Sequence, residues 1–397
     1  MLRKGICFFV FIIIILSIRP AQALELDIAL FYKYDITAVT IESMSGNYRL
    51  KGDYDHLGYY QANQKITLQA DNNKVLIIKG DSVIGKYRAI AFRGENFMNN
   101  FQIDPHSKAI KSRIYDDDLK VLSQNGYLRI INHVGLEHYV AGVVQSEGGG
   151  SSKDVEFYQV QAITCRTYAL NNHRKHLDEG FNLCDDVHCQ VYKGKAVNSD
   201  ILLATMRTSG EVIVDDTKKM ISASFHSNCG GQTMNSEDVW SIPTPYLKSV
   251  KDTFCRHMPN ATWTYSMPKS KWLKYLQKKY DYDISKPGAL DSVLIFEQNE
   301  RKRFLAPNIP LKTIRYDLNL KSAFFDIHVK NNTMVFKGRG YGHGVGLCQE
   351  GAINMAHLGY SYRDIIHYYY RNVQIVNYHK LPYLLDELLG DSDKTPF

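Results

Sequence analysis

The chain has 397 residues, 44% of them hydrophobic, with 48 Lys and Arg against 41 Asp and Glu and a formal net charge of +7. This length allows two or three domains with sizeable cores. The weak basic excess excludes the strong charge bias typical of nucleic-acid-binding proteins, and it suits an anionic or polysaccharide partner in a cell envelope.

The first 23 residues have the pattern of a secretory signal peptide. Arg3 and Lys4 precede an apolar run from 7 to 18, and Ala21 and Ala23 are small residues that a signal peptidase accepts. The run is too short to span a bilayer comfortably, and no other long apolar run follows. We therefore predict an exported, periplasmic or extracellular protein with no transmembrane span in the mature chain. An uncleaved membrane anchor is the alternative.

Residues 24–130 predict a β-rich N-terminal domain. Apolar and polar positions alternate in short runs such as DIALFYKY and ITLQADNNKVLIIKG, which are separated by turn residues. The run KVLSQNGYLRIIN contains the pair Asn125-Gly126 at its centre, which is a strong signal for a β-hairpin.

Helical periodicity begins at residue 136 and predicts two helices joined at Glu147. In LEHYVAGVVQSEGGG the apolar residues form one helical stripe, and the glycines after Glu147 end the helix. Ser151 and Ser152 are candidate caps for the second helix. The unsatisfied carbonyl groups at a helix end raise the pKa of a nearby carboxyl group, so we expect Glu147 to keep its proton more readily than a free glutamate. That property suits a general acid.

The segment HLDEGFNLCDDVHCQVY contains a compact set of metal-type ligands. His176, Cys184, His188 and Cys189 together offer two imidazoles and two thiolates, the donor set of a tetrahedral zinc site. Their spacing is not that of a common zinc finger. A small disulfide loop between Cys184 and Cys189 is the other possibility, because an exported protein folds in an oxidising compartment.

The second half of the chain predicts mixed structure with an inserted accessory segment. Strands are predicted at GEVIVDD and MISASFHS, then a helix near 269–279 and strands at LDSVLIFEQ and FFDIHVK within 262–330. A further strand at MVFKGRG leads into the glycine-rich turn GRGYGHGVG and a final tyrosine-rich helix. This turn has no Gly-Lys-Ser/Thr end and so is not a phosphate loop, but its glycines would let a ligand approach the backbone closely. Tight-turn packing explains the same glycines equally well.

Several of these stretches resemble the SpoIID/LytB family, the stage II sporulation protein D group. The matching pieces are LEHYVAGVVQSE, QAITCRTYAL, LCDDVHCQVYKG, SFHSNCGGQT with SEDVW, PYLKSVKD and GRGYGHGVGLCQEGA, in the family's order over about residues 110–375. Two departures stand out. Glu147 is followed by Gly148 where sporulation members usually have Met-Pro, and Cys165 and Cys348 stand where the family often has a small residue.

The resemblance implies a lytic transglycosylase that cleaves the glycan strands of peptidoglycan, with Glu147 as its catalytic acid. It also implies a structural zinc held by His176, Cys184, His188 and Cys189. We expect the zinc to pin the loop of Gln190 and Tyr192 against the second helix. The candidate substrate-binding residues are Arg166, Tyr168, Gln190, His226, Ser227, Tyr341, His343 and Gln349. A buried salt bridge is the alternative role for Arg166.

Two other functions remain open. Some relatives enhance cell-wall amidases by association, so a binding module that activates an amidase is one alternative. A zinc amidase is another, although no metal-bound general base can be identified. Cys229 and Cys255 are a candidate disulfide pair.

The predicted fold class is α+β, a β-rich N-terminal domain followed by a mixed catalytic domain that contains an insertion. The predicted divisions are a signal peptide (1–23), the β-rich domain (24–130), the catalytic core with the metal site (131–260), the inserted segment (261–330), the C-terminal part of the core (331–380) and a loose tail (381–397).

Overall fold

The computed structural model describes residues 24–95, 98–148 and 154–384, and its fold is the predicted α+β class. The predicted signal peptide lies outside the described residues. The strands in the described part are β1 (Glu25–Leu30), β2 (Ala38–Ser45), β3 (Tyr48–Gly52), β4 (Asp55–Tyr60), β5 (Lys65–Asp71), β6 (Lys74–Lys79), β7 (Ser82–Tyr87), β8 (Ala89–Gly94), β9 (Asn100–Pro105), β10 (Arg113–Asp116), β11 (Asp118–Gln124), β12 (Tyr127–Gly135), β13 (Leu183–Cys184), β14 (Glu211–Val214), β15 (Phe225–His226), β16 (Thr262–Pro268), β17 (Phe325–Lys330), β18 (Thr333–Arg339), β19 (Leu347–Cys348) and β20 (Gln374–Asn377).

The helices of the described part follow the strand-rich N-terminal portion. They are α1 (Leu136–Gly148), α2 (Val155–Asn171), α3 (Ser199–Arg207), α4 (Ser236–Trp240), α5 (Lys269–Tyr280), α6 (Ala289–Leu294), α7 (Leu311–Asp317), α8 (Gln349–His357) and α9 (Tyr362–Tyr369), with short 3-10 helices at Leu177–Glu179 and Tyr378–Lys380. None of the helices in these ranges is both long and apolar enough to cross a membrane.

Two sheets form the N-terminal portion. One has the strand order β13-β1-β12-β11-β8-β3-β4 and the other β10-β9-β2-β5-β6-β7. The predicted hairpin at Asn125-Gly126 joins β11 to β12, and both turn residues have positive φ values of 53° and 82°. An Asn-Gly pair adopts this left-handed backbone easily, which is why this local signal predicted the hairpin correctly.

One hydrophobic core joins the N-terminal sheets to the helices that follow. It contains Ile41 and Val121 of the sheets together with Val143 of α1 and Ile163 of α2. In addition, β13, which carries Cys184 of the predicted metal set, pairs in parallel with β1. The predicted division at residue 130 falls inside β12, so it separates neither two cores nor two sheets.

The inserted segment has its own hydrophobic core. Strands β16, β18 and β17 form a separate sheet, and Trp272, Phe325 and Phe336 are buried beside it. Because β18 belongs to this sheet, the accessory unit continues past the predicted limit at residue 330. The strand predicted at LDSVLIFEQ is wrong: residues Ala289–Leu294 form α6, which begins after Gly288 in the left-handed conformation.

Candidate active site and metal centre

Helices α1 and α2 pack against each other and leave Glu147 at the end of α1. The buried residues of α1 include Tyr139, Val140, Val143 and Val144, the apolar stripe seen in the sequence. The predicted caps at residues 151 and 152 lie outside the described residues. Within the described part, Asp154 caps α2 by accepting a hydrogen bond from the backbone N–H of Glu156.

Glu147 is partly buried, and its carboxylate is held by one main-chain donor. Oε1 accepts a hydrogen bond of 3.0 Å from the N–H of Val191. Burial raises the pKa of Glu147, while the Val191 bond and the charge of Lys193 act in the opposite direction. The sequence argument relied on the helix end, whereas desolvation is the largest cause in the structure. The carboxyl group therefore keeps its proton to a higher pH than an exposed glutamate, as a general acid requires.

The acidic residues nearest to Glu147 in sequence have other partners. Glu137 accepts hydrogen bonds from Nε and Nη2 of Arg166 at 2.9 and 2.5 Å, and Asp154 caps α2. Glu350 is buried and accepts from the amide groups of Asn228 and Asn260, each at 2.6 Å. Among the described residues, no acidic side chain contributes to the pKa shift of Glu147.

Arg166 lies in the core and not in a substrate groove. Its side chain is 0% exposed, and besides Glu137 it donates to the carbonyl groups of Thr205 and Glu211. The structure thus contains the buried salt bridge that was the alternative role for Arg166. Its predicted contact with the glycan is not supported, because a fully buried guanidinium with these partners cannot reach a ligand.

A chain of amide groups extends from α8 to the neighbourhood of Glu147. Gln349 donates to Oε1 of Gln161 at 3.3 Å, and Nε2 of Gln161 lies 3.3 Å from Sγ of Cys165. Burial raises the pKa of Cys165 to about 12, and the nearby charge of Glu147 raises it further. The structure therefore brings Gln349 and Cys165 towards Glu147. Gln161 was not singled out from the sequence, although it stands in the quoted stretch QAITCRTYAL.

His226 and His343 form a second cluster of predicted site residues. Nε2 of His343 donates to the carbonyl of Phe225 at 3.0 Å, and Nδ1 accepts from the N–H of Val345 at 3.1 Å. The ring centroid of His343 lies 5.4 Å from that of His226 and 5.2 Å from that of Trp240. Burial lowers the pKa of His343 to about 4, so its ring is neutral near pH 7.

The glycine-rich turn packs tightly on this cluster. Gly342 has a φ of 115°, and a Cβ atom built there would lie 2.7 Å from Cβ of His226. Tyr341 is 45% exposed, and Ser227 accepts a hydrogen bond from Asn260 at 3.2 Å. Strands β15 and β19 pair in parallel, so His226 and Ser227 lie beside the start of α8, where Gln349 is found. The packing role and a ligand-facing Tyr341 are thus both present in this turn.

The four predicted metal ligands lie together. The ligand atoms of His176, Cys184, His188 and Cys189 are all within 4.8 Å of one another. Sγ of Cys189 is 3.5 Å from Nε2 of His176, and Sγ of Cys184 is 3.8 Å from Nδ1 of His188. Zn–S bonds of about 2.3 Å and Zn–N bonds of about 2.0–2.1 Å place tetrahedral ligands about 3.3–3.8 Å apart. These residues therefore fit a zinc ion.

The surroundings of His176 also suit a metal ligand. Its Nδ1 lies 2.6 Å from Oε1 of Glu179, and Phe181 stacks on its ring with centroids 4.9 Å apart. A carboxylate on one ring nitrogen fixes the tautomer and leaves the other nitrogen free to bind a metal. Tyr168, another predicted site residue, lies near Cys189 and Cys184 and not in the group around Glu147.

The loop after the metal ligands packs mainly on α1. The ring of Tyr192 lies 5.0 Å from that of Tyr139, whose hydroxyl donates to Oε1 of Gln190 at 3.3 Å. A Cβ atom on Gly142 would lie 2.4 Å from the ring of Tyr192, so this helix position requires glycine. The prediction that Gln190 and Tyr192 pack against the second helix is therefore corrected to α1 for these contacts.

A cavity of about 1080 Å³ lies at the other end of α2. Asn171, His173 and Lys175 line it together with Met220 and Tyr383. Because the 17 residues of α2 span about 25 Å, this cavity is remote from Glu147 and does not contribute to its surroundings.

Comparison with known proteins gives a consistent picture. Residues 124–215 match the family described as SpoIID, stage II sporulation protein. The stage II sporulation protein D of Bacillus amyloliquefaciens is 31% identical over 266 residues, which are 62% of this chain and 75% of that protein. The chain belongs to the SpoIID family. The resemblance predicted from the sequence motifs is thereby confirmed.

Two further relatives extend the comparison of this SpoIID-family chain. An uncharacterised protein of Brachyspira hyodysenteriae is 30% identical over 281 residues, 67% of this chain and 73% of that protein. The amidase enhancer of Bacillus subtilis is 25% identical over 293 residues, 60% of this chain. The chain spans only 40% of the amidase enhancer, so that similarity concerns part of the larger protein.

Proposed function

We propose that this SpoIID-family chain acts on the bacterial cell wall as a lytic transglycosylase that cleaves the glycan strands of peptidoglycan. The observation that carries the proposal is Glu147, a partly buried carboxyl group with a raised pKa and no acidic neighbour that contributes to its titration in the described part of the chain. Most glycosidases use two carboxyl groups, one as acid and one as base or nucleophile. A single carboxyl group suffices when the substrate supplies its own nucleophile.

The reaction then uses one proton twice. Protonated Glu147 donates its proton to the glycosidic oxygen as the bond from that oxygen to the muramoyl C1 breaks. The carboxylate then takes the proton of the muramoyl 6-hydroxyl, whose oxygen forms a new bond to C1 and closes an anhydro ring. Glu147 ends protonated, and no water molecule is consumed. General acid–base assistance of this kind contributes about 10²–10⁴-fold to a rate.

The metal site is assigned a structural role in this proposal. His176, Cys184, His188 and Cys189 would hold Zn²⁺, and four protein ligands leave no open position for a catalytic water. Val191, two residues after Cys189, donates to Glu147. A bound zinc ion would stabilise this loop and so fix the orientation of the acid. A zinc amidase, by contrast, requires a metal-bound water and a general base.

The test is product analysis with matched variants. Purified glycan strands are digested with the wild type, with Glu147→Gln and with Glu300→Gln, a control on an exposed carboxylate. We expect anhydromuramoyl ends from the wild type and the control, and at least about 100-fold less from Glu147→Gln. Equal product from all three proteins, or product from none, would reject the enzyme assignment.

A second candidate function is activation of a cell-wall amidase, favoured by the similarity to the amidase enhancer. Under this alternative the chain releases no anhydro product but increases the release of stem peptides by a separate amidase. Glu147→Gln would then enhance the amidase as well as the wild type does. The same two proteins, assayed with and without an amidase, distinguish the two functions.

A further inference from the structure

A second set of metal-type ligands lies in the core, apart from the predicted zinc site. Cys229, Asp252, Cys255 and Cys348 are each 0% exposed, and their ligand atoms all lie within 4.8 Å of one another. The four residues come from three distant segments: the stretch after β15, the turn at 252–255 and the start of α8. Nothing in the proposed catalytic mechanism uses them.

The spacing of this second set suits one tetrahedral ion. Sγ of Cys229 lies 3.4 Å from Sγ of Cys255 and 3.2 Å from Oδ2 of Asp252. Zn–S bonds of about 2.3 Å and Zn–O bonds of about 2.0–2.2 Å place tetrahedral ligands about 3.5–3.8 Å apart. The observed distances are thus shorter by only a few tenths of an ångström, and a small outward shift would admit the ion.

The surroundings are arranged to hold anionic ligands. Oδ1 of Asp252 accepts from the N–H groups of Phe254 and Cys255 at 2.8 and 3.3 Å, which leaves Oδ2 directed towards the sulfur atoms, with the hydroxyl of Tyr369 2.9 Å away. Sγ of Cys348 accepts from the N–H groups of Cys229 and Gly351 at 3.2 and 3.4 Å. Such outer-shell donors orient metal ligands and stabilise their deprotonated forms.

A cation and a required glycine complete the site. Arg301 donates to the carbonyl of Cys229 at 2.6 Å, which brings its guanidinium next to the sulfur set. This positive charge offsets the excess negative charge that three thiolates and one carboxylate keep after they bind a divalent ion. A Cβ atom on Gly351 would lie 2.4 Å from Oδ2 of Asp252 and 2.1 Å from the Tyr369 hydroxyl, so the packing around the carboxylate leaves no room for a side chain.

We propose that Cys229, Asp252, Cys255 and Cys348 bind a second zinc ion. Binding forms three Zn–S bonds and one Zn–O bond and releases three thiol protons to the solvent. Three thiolates favour a soft or borderline ion such as Zn²⁺ over Mg²⁺ or Ca²⁺, and four protein ligands make the site structural. The ion would join the three segments directly beneath Ser227 and Gln349, which adjoin Cys229 and Cys348 in the sequence.

The competing arrangement is a disulfide between Cys229 and Cys255. A disulfide is neutral, so it would leave the buried carboxylate of Asp252 and the thiol of Cys348 next to each other without a cation. Burial of an ionised carboxylate that lacks a compensating charge is costly. The metal arrangement satisfies all four groups at once, and we favour it for that reason.

The test measures bound zinc in the mature full-length chain, purified without chelator and loaded with Zn²⁺. Elemental analysis should find about two zinc ions per chain in the wild type and about one in Cys348→Ser, in Asp252→Asn and in Cys184→Ser, since each closed site holds one ion. The Cys184→Ser protein isolates the second site, so the result does not depend on the first. Zinc in Cys184→Ser that is lost when Cys348→Ser is added supports the proposal.

A measurement on the unmodified protein guards against variants that fail to fold. Alkylation without reduction, followed by mass spectrometry of peptides, reports each cysteine separately. We expect Cys229, Cys255 and Cys348 to resist alkylation with zinc present and to react once a chelator and mild denaturant remove it. A peptide linked through Cys229 and Cys255, or one zinc ion per wild-type chain with these thiols reactive, would overturn the proposal.

Discussion

The backbone N–H of Val191 donates a 3.0 Å hydrogen bond to Oε1 of Glu147, and Val191 lies two residues after the predicted zinc ligand Cys189. The candidate acid and the candidate metal centre are therefore connected through one short loop. The next residues of this loop, Tyr192 and Lys193, also contact α1, through the ring of Tyr139 and the hydroxyl of Ser146. Loss of the metal should consequently affect catalysis as well as stability.

Replacement of one zinc ligand tests this connection. We expect Cys184→Ser to lower the free energy of unfolding by more than about 4 kcal/mol, because loss of a metal ligand is among the most destabilising single changes. Urea denaturation and zinc analysis measure the effect. Cys165→Ser is the matched control, since Cys165 is buried but belongs to neither ligand set. Unchanged stability in Cys184→Ser would show that these residues hold no structural ion.

The raised pKa of Glu147 predicts the shape of the pH–rate profile. The first step needs the protonated carboxyl group, so the rate falls as the pH rises through the pKa of Glu147 in the folded protein. Because burial raises that pKa, the falling limb should lie above the usual range of a free glutamate, about 4.3. Rates measured on glycan strands across the acid and neutral range locate the limb.

Lys193 provides a directional test of the same assignment. Its charge lowers the pKa of Glu147, so Lys193→Gln should move the falling limb to higher pH. The shift should be less than about one pH unit and should shrink at high salt, because Lys193 is exposed and its charge is screened. Lys51→Gln, an exposed lysine of β3, should leave the limb in place. A limb that moves in neither variant, or moves to lower pH in Lys193→Gln, would mean that another group limits the rate.

The Arg166–Glu137 pair should matter for stability and not for substrate binding. Removal of one partner of a buried pair leaves an uncompensated buried charge or unsatisfied acceptors, at a cost of about 3–5 kcal/mol. We therefore expect Arg166→Met to lower the free energy of unfolding by about that amount, as measured by urea denaturation. Where the variant is folded, its KM for glycan strands should match that of the wild type. A large rise in KM with normal stability would instead restore Arg166 as a substrate ligand.

Gly342 should be required for the packing of His226. Its φ is 115° and a Cβ atom would lie 2.7 Å from Cβ of His226, so Gly342→Ala combines backbone strain with a steric clash. Gly359 also has a positive φ, 87°, but a Cβ atom there meets nothing within 4 Å. Gly359→Ala therefore measures strain alone, which costs about 1–3 kcal/mol. Thermal unfolding should show the larger loss for Gly342→Ala, and equal losses would show that the turn relaxes without a clash.

The sequence predicted those parts of the structure that local chemistry determines. The hairpin at Asn125-Gly126, helices α1 and α2, and the four ligands of the metal set all follow from residues close together in the chain. The strand predicted at LDSVLIFEQ failed because a short apolar run fits a strand and a buried helix equally well. There the packing of Val293 and Leu294 into the second core decided for α6.

Long-range contacts were the part that the sequence could not predict. The group of Cys229, Asp252, Cys255 and Cys348 depends on three segments up to about 120 residues apart in the chain, and no spacing rule connects them. Arg166 stands in a motif of the family, yet only the fold shows that its partner is Glu137 on the neighbouring helix. The pairing of β13 with β1, which ties the metal loop to the N-terminal sheet, is likewise tertiary.

The central claim is that Glu147 works alone because the glycan supplies the attacking oxygen. Digestion of glycan strands in water enriched in oxygen-18, followed by mass spectrometry of the products, tests this directly. The account predicts anhydromuramoyl ends that carry no heavy oxygen. Reducing ends that contain oxygen-18 would show that water attacks the sugar, and would contradict a mechanism that rests on one carboxyl group.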